Sequence, residues 1–319
     1  MTHSPSLRVA FQMDPMETVN IDADTTFALA EVAANRGMTL YEYGPQHLAY
    51  NAGRVTARAR PMTVRREKGS HVRFEERETL DLAKDVDVIW MRQDPPFDMS
   101  YITAAHILER LKGDTLVVND PEWVRSGPEK ILPLDYPHLM PETLITRDLP
   151  TIDAFRAKHS DFIIKPLFGN GGAGVFRIKD GDSNYASLLE MFFMSSREPV
   201  IVQAFLKDVS KGDKRIIIID GEPVGAINRV PLPGQTRSNM HVGGKAVKSD
   251  LTESDKIICD AIGPMLKERG QILVGIDVIG DKMTEINITS PTGVQELKRF
   301  SGIDAATLSW DAIERRLKT

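Results

Sequence analysis

Asp277, Glu285 and Asn287 bring two carboxylates and an amide oxygen close together in the stretch ILVGIDVIGDKMTEINITSPTG, residues 272–293. Two apolar runs flank Gly280-Asp281-Lys282, so the stretch reads as a β-hairpin of buried strands. Glu285 and Asn287 lie two residues apart and share a face. Whether Asp277 joins them depends on the turn. A two-residue loop led by Gly280 as a type II′ turn sets Asp277 opposite Thr284. A three-residue loop pairs Ile279 with Met283 and sets Asp277 opposite Glu285, and a bulge in either strand gives the same alignment. The three-residue loop is the expectation, because local turn rules are most often broken at functional sites. Facing carboxylates on a buried hairpin repel. A divalent cation such as Mg²⁺ removes that penalty, and Mg²⁺ takes few protein ligands plus substrate phosphates. Glu285 and Asn287 share a face in either register, so they are the firmer ligands and Asp277 the conditional one.

Lys165 ends the buried strand FIIKP, and the glycine-rich run Gly169-Asn170-Gly171-Gly172-Ala173-Gly174 follows it. Glycines such as Gly171 and Gly172 let backbone N–H groups approach phosphate oxygens closely, and a lysine supplies the point charge. Alone such a loop is weak, since many are plain turns. Its strength comes from the lysine before it and the acidic hairpin after it. Gln203-Ala204-Phe205-Leu206 closes another buried strand, where backbone groups could meet a purine edge and Phe205 or Leu206 its ring. Arg215, Arg229 and Arg237 fall on two strands and a long loop. Three arginines near a phosphate and metal site suit transfer chemistry, in which charge develops on phosphoryl and acyl oxygens. No Ser/His or Cys/His nucleophile pair competes with that reading: Cys259 sits in the helical run SDKIICDAIGPMLKERG with no histidine nearby in sequence.

Two groups of elements must position these residues. The first begins with a strand at 7–13, a helix opened by Asp24 and stopped at Gly37, and a strand MTLYEY, a βαβ unit that opens a parallel sheet. Residues 54–66 alternate as a hairpin would. VDVIWM (86–91) and TLVVND continue the sheet around a helix at 100–112. Ligands of open α/β sheets bind beyond the carboxyl ends of the strands. Met13-Asp14-Pro15 and Arg92-Gln93-Asp94-Pro95-Pro96 fall there. After residue 128 the pattern changes to short strands, ETLIT, FIIKPL, GVFRI, PVIVQAFL, KRIIIID and PVGAINRV, with helices at 151–159 and 184–194. Asp220-Gly221 marks a tight hairpin. Residues 231–249 are polar, rich in glycine and without periodicity, which predicts a lid or binding loop, or else a disordered segment, and a lid is the expectation. Helices follow at 253–269 and through 293–317.

The chain has 319 residues, 41% apolar and 27% charged, with a net charge of -5 and one cysteine. That length supports two or three domains. The charge removes any electrostatic case for nucleic acid or an anionic membrane surface. No apolar run approaches a membrane span, and the N-terminus carries no signal-like apolar core. The single cysteine excludes an internal disulfide framework and fits a reducing cytoplasm.

The sequence resembles prokaryotic glutathione synthetase, of the ATP-grasp ligases. The stretches that carry the resemblance are MDP (13–15), MRQDPPFD (91–98), EK (129–130), IIKPLFGNGGAGVFRI (163–178), GDKRIIIIDGEPV (212–224), TR (236–237), LTESD (251–255) and GIDVIGDKMTEINITSPTG (275–293). Together they span nearly the whole chain. The resemblance implies an N-terminal parallel α/β substrate domain over 1–128. It implies an ATP-grasp domain over 129–319, with a central lid at about 129–206 and ATP held between two antiparallel sheets. It implies that Lys130 and Lys165 contact phosphates, that Gln203, Phe205 and Leu206 line the adenine site, and that Asp213 holds the ribose. Arg215, Glu285 and Asn287 would serve phosphate and Mg²⁺ or Mn²⁺, with Asp277 a further ligand, and Arg229 would stabilise an acyl phosphate. Arg92, Asp94, Arg237, Ser290 and Gly293 would hold the substrates, γ-glutamylcysteine and glycine. A homo-oligomer, a tetramer in this family, is also implied. Two rivals remain: another ATP-grasp amide ligase, and a non-catalytic ATP-binding module.

Overall fold

The computed structural model describes residues 6–169, 171–232 and 243–318. The N-terminal part contains β1 (Arg8–Gln12), α1 (Thr25–Asn35), β2 (Thr39–Tyr43), β3 (Leu48–Asn51), β4 (Arg54–Val64), β5 (Val72–Phe74), β6 (Glu78–Asp81), β7 (Val88–Met91), α2 (Met99–Leu108), β8 (Leu116–Val118) and α3 (Pro121–Ser126). Its sheet runs β3-β4-β2-β1-β7-β8, parallel from β2 through β8. Helix α1 starts where the Asp24 carboxylate accepts the Phe27 N–H at 2.6 Å and stops before Gly37, whose φ is +75°.

Residues 54–64 form one long strand instead of the expected hairpin. β4 switches partners along its length, pairing with β3 and β6 at one end and with β2 and β5 at the other. The tight turn lies one strand earlier, at Ala52-Gly53, both with positive φ. Val55, Ala57 and Ala59 alternate inward all along one face, which a continuous strand satisfies as well as a hairpin does.

The central part has β9 (Thr143–Thr146), α4 (Leu149–Lys158), β10 (Asp161–Pro166), β11 (Phe176–Lys179), α5 (Tyr185–Ser195) and β12 (Val200–Ala204), in an antiparallel sheet ordered β11-β10-β12-β9. The C-terminal part has β13 (Asp213–Ile219), β14 (Glu222–Val230), β15 (Lys245–Ser249), α6 (Glu253–Glu268), β16 (Leu273–Ile279), β17 (Lys282–Asn287), α7 (Val294–Ser301) and α8 (Ala305–Arg316). Its antiparallel sheet runs β15-β14-β13-β16-β17. The expectation of an aperiodic loop over 231–249 fails at its end. Residues 245–249 pair with the edge of β14, and Lys245 and Lys248 keep the new edge charged. Arg237 and the middle of that loop lie outside the described residues.

Packing divides the molecule differently from the chain order. Among the described residues, two of the three apolar cores mix both ends of the chain: one joins Ile89 and Tyr101 to Ile216, Ile258 and Ile276, the other joins Phe11 and Trp90 to Ile217 and Trp310. The third draws on residues 144–202. The N- and C-terminal parts are therefore welded, and the central sheet is a separate body. Helix α8 is one weld: Trp310 donates its indole N–H to the Leu29 carbonyl at 2.8 Å, and Arg36 pairs with Asp311 and Glu314, each at 2.6 Å. Asn119 is another. Its amide donates to the Leu273 and Ile288 carbonyls and accepts from the Leu273 N–H, tying the end of β8 to the C-terminal sheet.

Candidate active site

The opening hairpin resolves the register by combining both expected devices. Ile279 pairs with Lys282, so the loop is the two-residue Gly280-Asp281, with Gly280 at φ +65°. Thr284 is then bulged out between Met283 and Glu285, and Asp277 faces Glu285 directly. The expected three-residue loop is thus corrected. Gly280 takes the positive φ that a type II′ turn needs, and the bulge supplies the extra residue that the alignment needs.

Asp277 also faces Arg215 across β13. Arg215, Asp277 and Glu285 form one rung across three strands, and Asp213 with Arg229 forms the next rung on the same face. Arg215 grips Asp277 with two bonds, Nε to Oδ1 at 2.6 Å and Nη2 to Oδ2 at 3.2 Å. Arg229 reaches Asp277 Oδ2 at 2.9 Å and Asp213 Oδ2 at 2.7 Å. Gly275 makes room for this arrangement, because a Cβ there would lie 2.8 Å from the Arg215 Cδ. Burial works against the Asp277 charge, but the two guanidiniums outweigh it and hold the carboxyl well below the usual range. Burial pushes Asp213 up to about 6, with Arg229 opposing and Asp277 adding to the rise. Burial also opposes the charge of Arg229, and the two aspartates overcome it and raise its pKa. Both Asp277 oxygens thus accept guanidinium N–H groups, whereas Glu285 presents its carboxylate to the cleft.

Opposite this face stands the central sheet. Lys165, the penultimate residue of β10, is buried, with Nζ 3.8 Å from Glu285 Oε1. Lys130 comes from the segment before β9 and lies 3.5 Å from the same oxygen. Burial lowers the Lys165 pKa; Glu285 opposes this and Lys130 adds to it. Lys130 Nζ also donates to the Gly169 carbonyl, holding the start of the glycine run.

Between the sheets is a cleft of about 880 Å³, its solvent mouth included, within the range of small-molecule sites. Lys130, Lys165, Gly171, Gly172, Gln203, Phe205, Leu206 and Asp213 all line it, together with Asp277 and Glu285. These are all eight residues expected to meet a nucleotide. The sequence reading missed the apolar floor, Ile163, Val175, Val209 and Ile279. Those residues look like ordinary strand and loop apolars, and only the facing of two sheets reveals their second use.

The expected substrate residues gather elsewhere, around the carboxyl ends of β1 and β7. Arg92 is buried, with Nε donating to Thr26 Oγ1 at 3.1 Å and Nη2 to the Pro291 carbonyl at 3.2 Å. Its Nη1 is buried with no hydrogen-bond partner among the described residues. Ser290 Oγ bonds the Arg92 carbonyl at 3.4 Å, and Gly293, with φ +107°, opens α7. Asp94 is exposed, its N–H donating to Asp14. The 290–293 turn joins the two regions: Pro291 takes Arg92, and Thr292 takes Arg215 Nη1 at 3.1 Å. Thr26, which orients Arg92, carried no motif and was not foreseen.

Two antiparallel sheets closing on a cleft, with paired lysines and a glycine-rich loop on one side and a carboxylate–arginine rung on the other, define an ATP-grasp ligase. Residues 7–125 match the N-terminal domain of prokaryotic glutathione synthetase, and residues 129–302 match the ATP-grasp domain of prokaryotic glutathione synthetase. The chain belongs to the prokaryotic glutathione synthetase family. The glutathione synthetase of Mesorhizobium japonicum is 59% identical across 98% of this chain and 99% of its own length, and that of Brucella melitensis 58% across 98% and 99%. A D-cycloserine synthetase of known structure superposes with a TM-score of 0.68 at 17% identity, covering 97% of this chain and 99% of its own, a likeness of fold. Among the described residues no helix is long and apolar enough to cross a membrane.

Proposed function

We propose that the chain uses ATP to activate the cysteinyl carboxylate of γ-glutamylcysteine and then joins it to glycine, giving glutathione, ADP and phosphate. The observation that carries this reading is the convergence of Lys130, Lys165 and Glu285 in one cleft, linked through Arg215 and the 290–293 turn to the buried Arg92. Lys130, Lys165 and the amides at Gly171 and Gly172 hold the phosphates. Gln203, Phe205 and Leu206 meet the adenine, and Asp213 the ribose. Arg92, Ser290 and Gly293, with Asp94 and Arg237, hold the peptide and glycine. The carboxylate attacks the γ-phosphorus, ADP leaves, and the glycine amine displaces phosphate from the acyl phosphate. Arg215 and Arg229, fixed by Asp277, stand ready for charge on the acyl and phosphoryl oxygens. Their geometry is set before the reaction, so no reorganisation is needed during it.

The donor set suits Mg²⁺, or Mn²⁺ in its place. No group of three or more His, Cys, Asp or Glu side chains among the described residues is arranged as a metal cage. Glu285 is nevertheless open to the cleft, and Asn287 lies two residues on with its Nδ2 bonded to the Gly275 carbonyl at 3.0 Å, leaving its oxygen as the ligand. One carboxylate and one amide oxygen are the sparse set expected of a cation shared with substrate phosphates. Asp277 then acts through its arginines. The bound cation supplies neutralisation of phosphate charge. Assembly as a homotetramer follows from the same reading and is checked by light scattering.

The test is phosphate release from ATP with defined substrate pairs. Release is expected only with γ-glutamylcysteine, glycine and Mg²⁺ together. Equal turnover with D-alanine pairs and none with glycine would overturn the assignment.

A further inference from the structure

Among the described residues the central sheet shares no apolar core with the rest of the molecule, so other contacts between it and the body control its position. One of them belongs neither to the cleft nor to the rung. Phe168, immediately before Gly169, packs on Phe97 with ring centroids 6.0 Å apart and planes at 33°. Phe97 in turn packs on Tyr101 of α2 at 5.2 Å and 41°. Phe168 belongs to the loop that meets phosphate. Phe97 belongs to the Arg92–Asp98 segment that meets the peptide. A small cavity lies behind the pair, lined by Pro95, Glu129, Lys130 and Thr289 as well as the two rings. Glu129 accepts the Thr289 N–H and hydroxyl there, at 3.2 and 2.6 Å, so the body side of the contact is fixed.

We propose that Phe97 and Phe168 are positioning residues that couple the nucleotide loop to the peptide loop. This rests on the function proposed above. Phosphate bound beside Gly169 steadies Phe168 on Phe97, where it already rests, and so holds the Arg92–Asp98 segment in its binding position. Peptide bound to that segment holds Phe97 where Phe168 can meet it. Such coupling is reciprocal: each ligand tightens the other by one factor. An aromatic pair at this spacing accounts for about a 2- to 12-fold part of that factor.

The experiment measures binding of a non-hydrolysable ATP analogue with and without saturating γ-glutamylcysteine. The dipeptide is expected to tighten the analogue in the wild type. Phe168→Ala and Phe97→Leu should each cut the tightening factor about 2- to 12-fold, and the double variant no further. Leucine is used at 97 because that ring also packs on the main core. Phe168→Tyr keeps the ring and should keep the factor. The dipeptide KM should rise in Phe168→Ala with kcat less affected, although Phe168 lies in the nucleotide loop. An unchanged factor in both single variants, or losses that multiply in the double variant, would overturn the coupling. Wild-type turnover separates the two readings: a protein that ligates the dipeptide while its variants keep full coupling refutes the latch alone. A wild type that neither binds nor ligates the dipeptide refutes the function. The latch is then decided by Phe97→Leu, which should weaken the analogue alone although Phe97 does not line the cleft.

Discussion

Asp277 and Glu285 face each other on one rung, yet removing each charge should have opposite consequences. Asp277→Asn keeps shape and volume but takes the negative charge from between Arg215 and Arg229. Three charge-assisted contacts at 2.6, 3.2 and 2.9 Å are weakened or reversed, because an amide NH₂ cannot accept from a guanidinium. Arg215 keeps only the Thr292 carbonyl from this set, and Arg229 keeps Asp213. Breaking a buried ion pair by removing one partner costs about 3–5 kcal/mol, and Asp277 is 3% exposed. A loss of that size should appear in denaturant midpoints at unchanged slope. Glu285→Gln removes a carboxylate whose lysine partners stand at 3.5 and 3.8 Å, beyond good hydrogen-bond distance, at the cleft surface. Its loss of stability should be smaller than that of Asp277→Asn, because Glu285 is partly exposed and no hydrogen bond to it is broken, while Mg²⁺-dependent turnover is lost. The assay is the pair: chemical denaturation and phosphate release on both variants. Asp277→Asn with wild-type stability, or Glu285→Gln with wild-type turnover at ordinary Mg²⁺, would refute the division of labour.

The rung also sets a pH signature. The folded pKa of Asp277 is below its unfolded value, so its contribution to stability is present above about pH 4 and is lost as pH falls through the folded value. Asp213 runs the other way. Its folded pKa of about 6 exceeds the unfolded value, so between about pH 4 and 6 the folded state holds a proton that the unfolded chain releases, and this group's contribution declines as pH rises through that window.

Lys165→Ala should weaken ATP about 10- to 100-fold, the scale of a hydrogen bond to a charged group. Melting should be unchanged or slightly higher, because burial opposes the charge of Lys165. A large melting loss with unchanged affinity would instead mark a structural lysine. The lowered Lys165 pKa also means that phosphate restores a proton: nucleotide binding in the alkaline range should take up protons and weaken as pH rises, measured by calorimetry in buffers of different ionisation enthalpy. Gly263→Ala should lower stability despite about 1 kcal/mol of helix propensity gained, because the new Cβ would lie 2.4 Å from the Gly221 carbonyl oxygen, and neither backbone can turn away. Unchanged denaturation would show that α6 shifts freely on the β13–β14 turn.

The elements were largely legible because the apolar periods are strong. Asp24 caps α1, Gly37 ends it, and Asp220-Gly221 turns β13 into β14 with both φ values positive, each from local rules. The lysine and glycine side of the cleft was legible for a different reason: its residues sit near strand ends and in a glycine run, where sequence position and exposure to the cleft coincide. What escaped depended on contacts between distant segments. Phe97 and Phe168 carry no joint signal in sequence, since their pairing depends on how the central sheet sits against the body. Thr26 gave no hint of orienting an arginine sixty-six positions away. Residues 245–249 looked aperiodic because an edge strand with lysines outward and half-buried partners shows little alternation.

The hairpin shows how local rules and site geometry were reconciled. Gly280 led a two-residue turn, as its conformational freedom favours, and that turn taken alone would have set Asp277 against Thr284. The sheet could not accept that register: Arg215 on β13 pairs with Asp277, and Glu285 must face Lys130 and Lys165. Shifting the whole of β17 by one residue would have turned Ile286 out of the core and Glu285 into it, because strand faces alternate. A single bulged residue avoids both costs. It keeps Met283 paired with Val278 on the turn side and Ile286 with Ile276 beyond it, while Thr284 keeps its hydroxyl bonded to the Asp277 carbonyl at 3.2 Å. The bulge thus sets the acidic rung: by placing one extra residue, it brings a carboxylate locked by arginines beside one left open to the cleft.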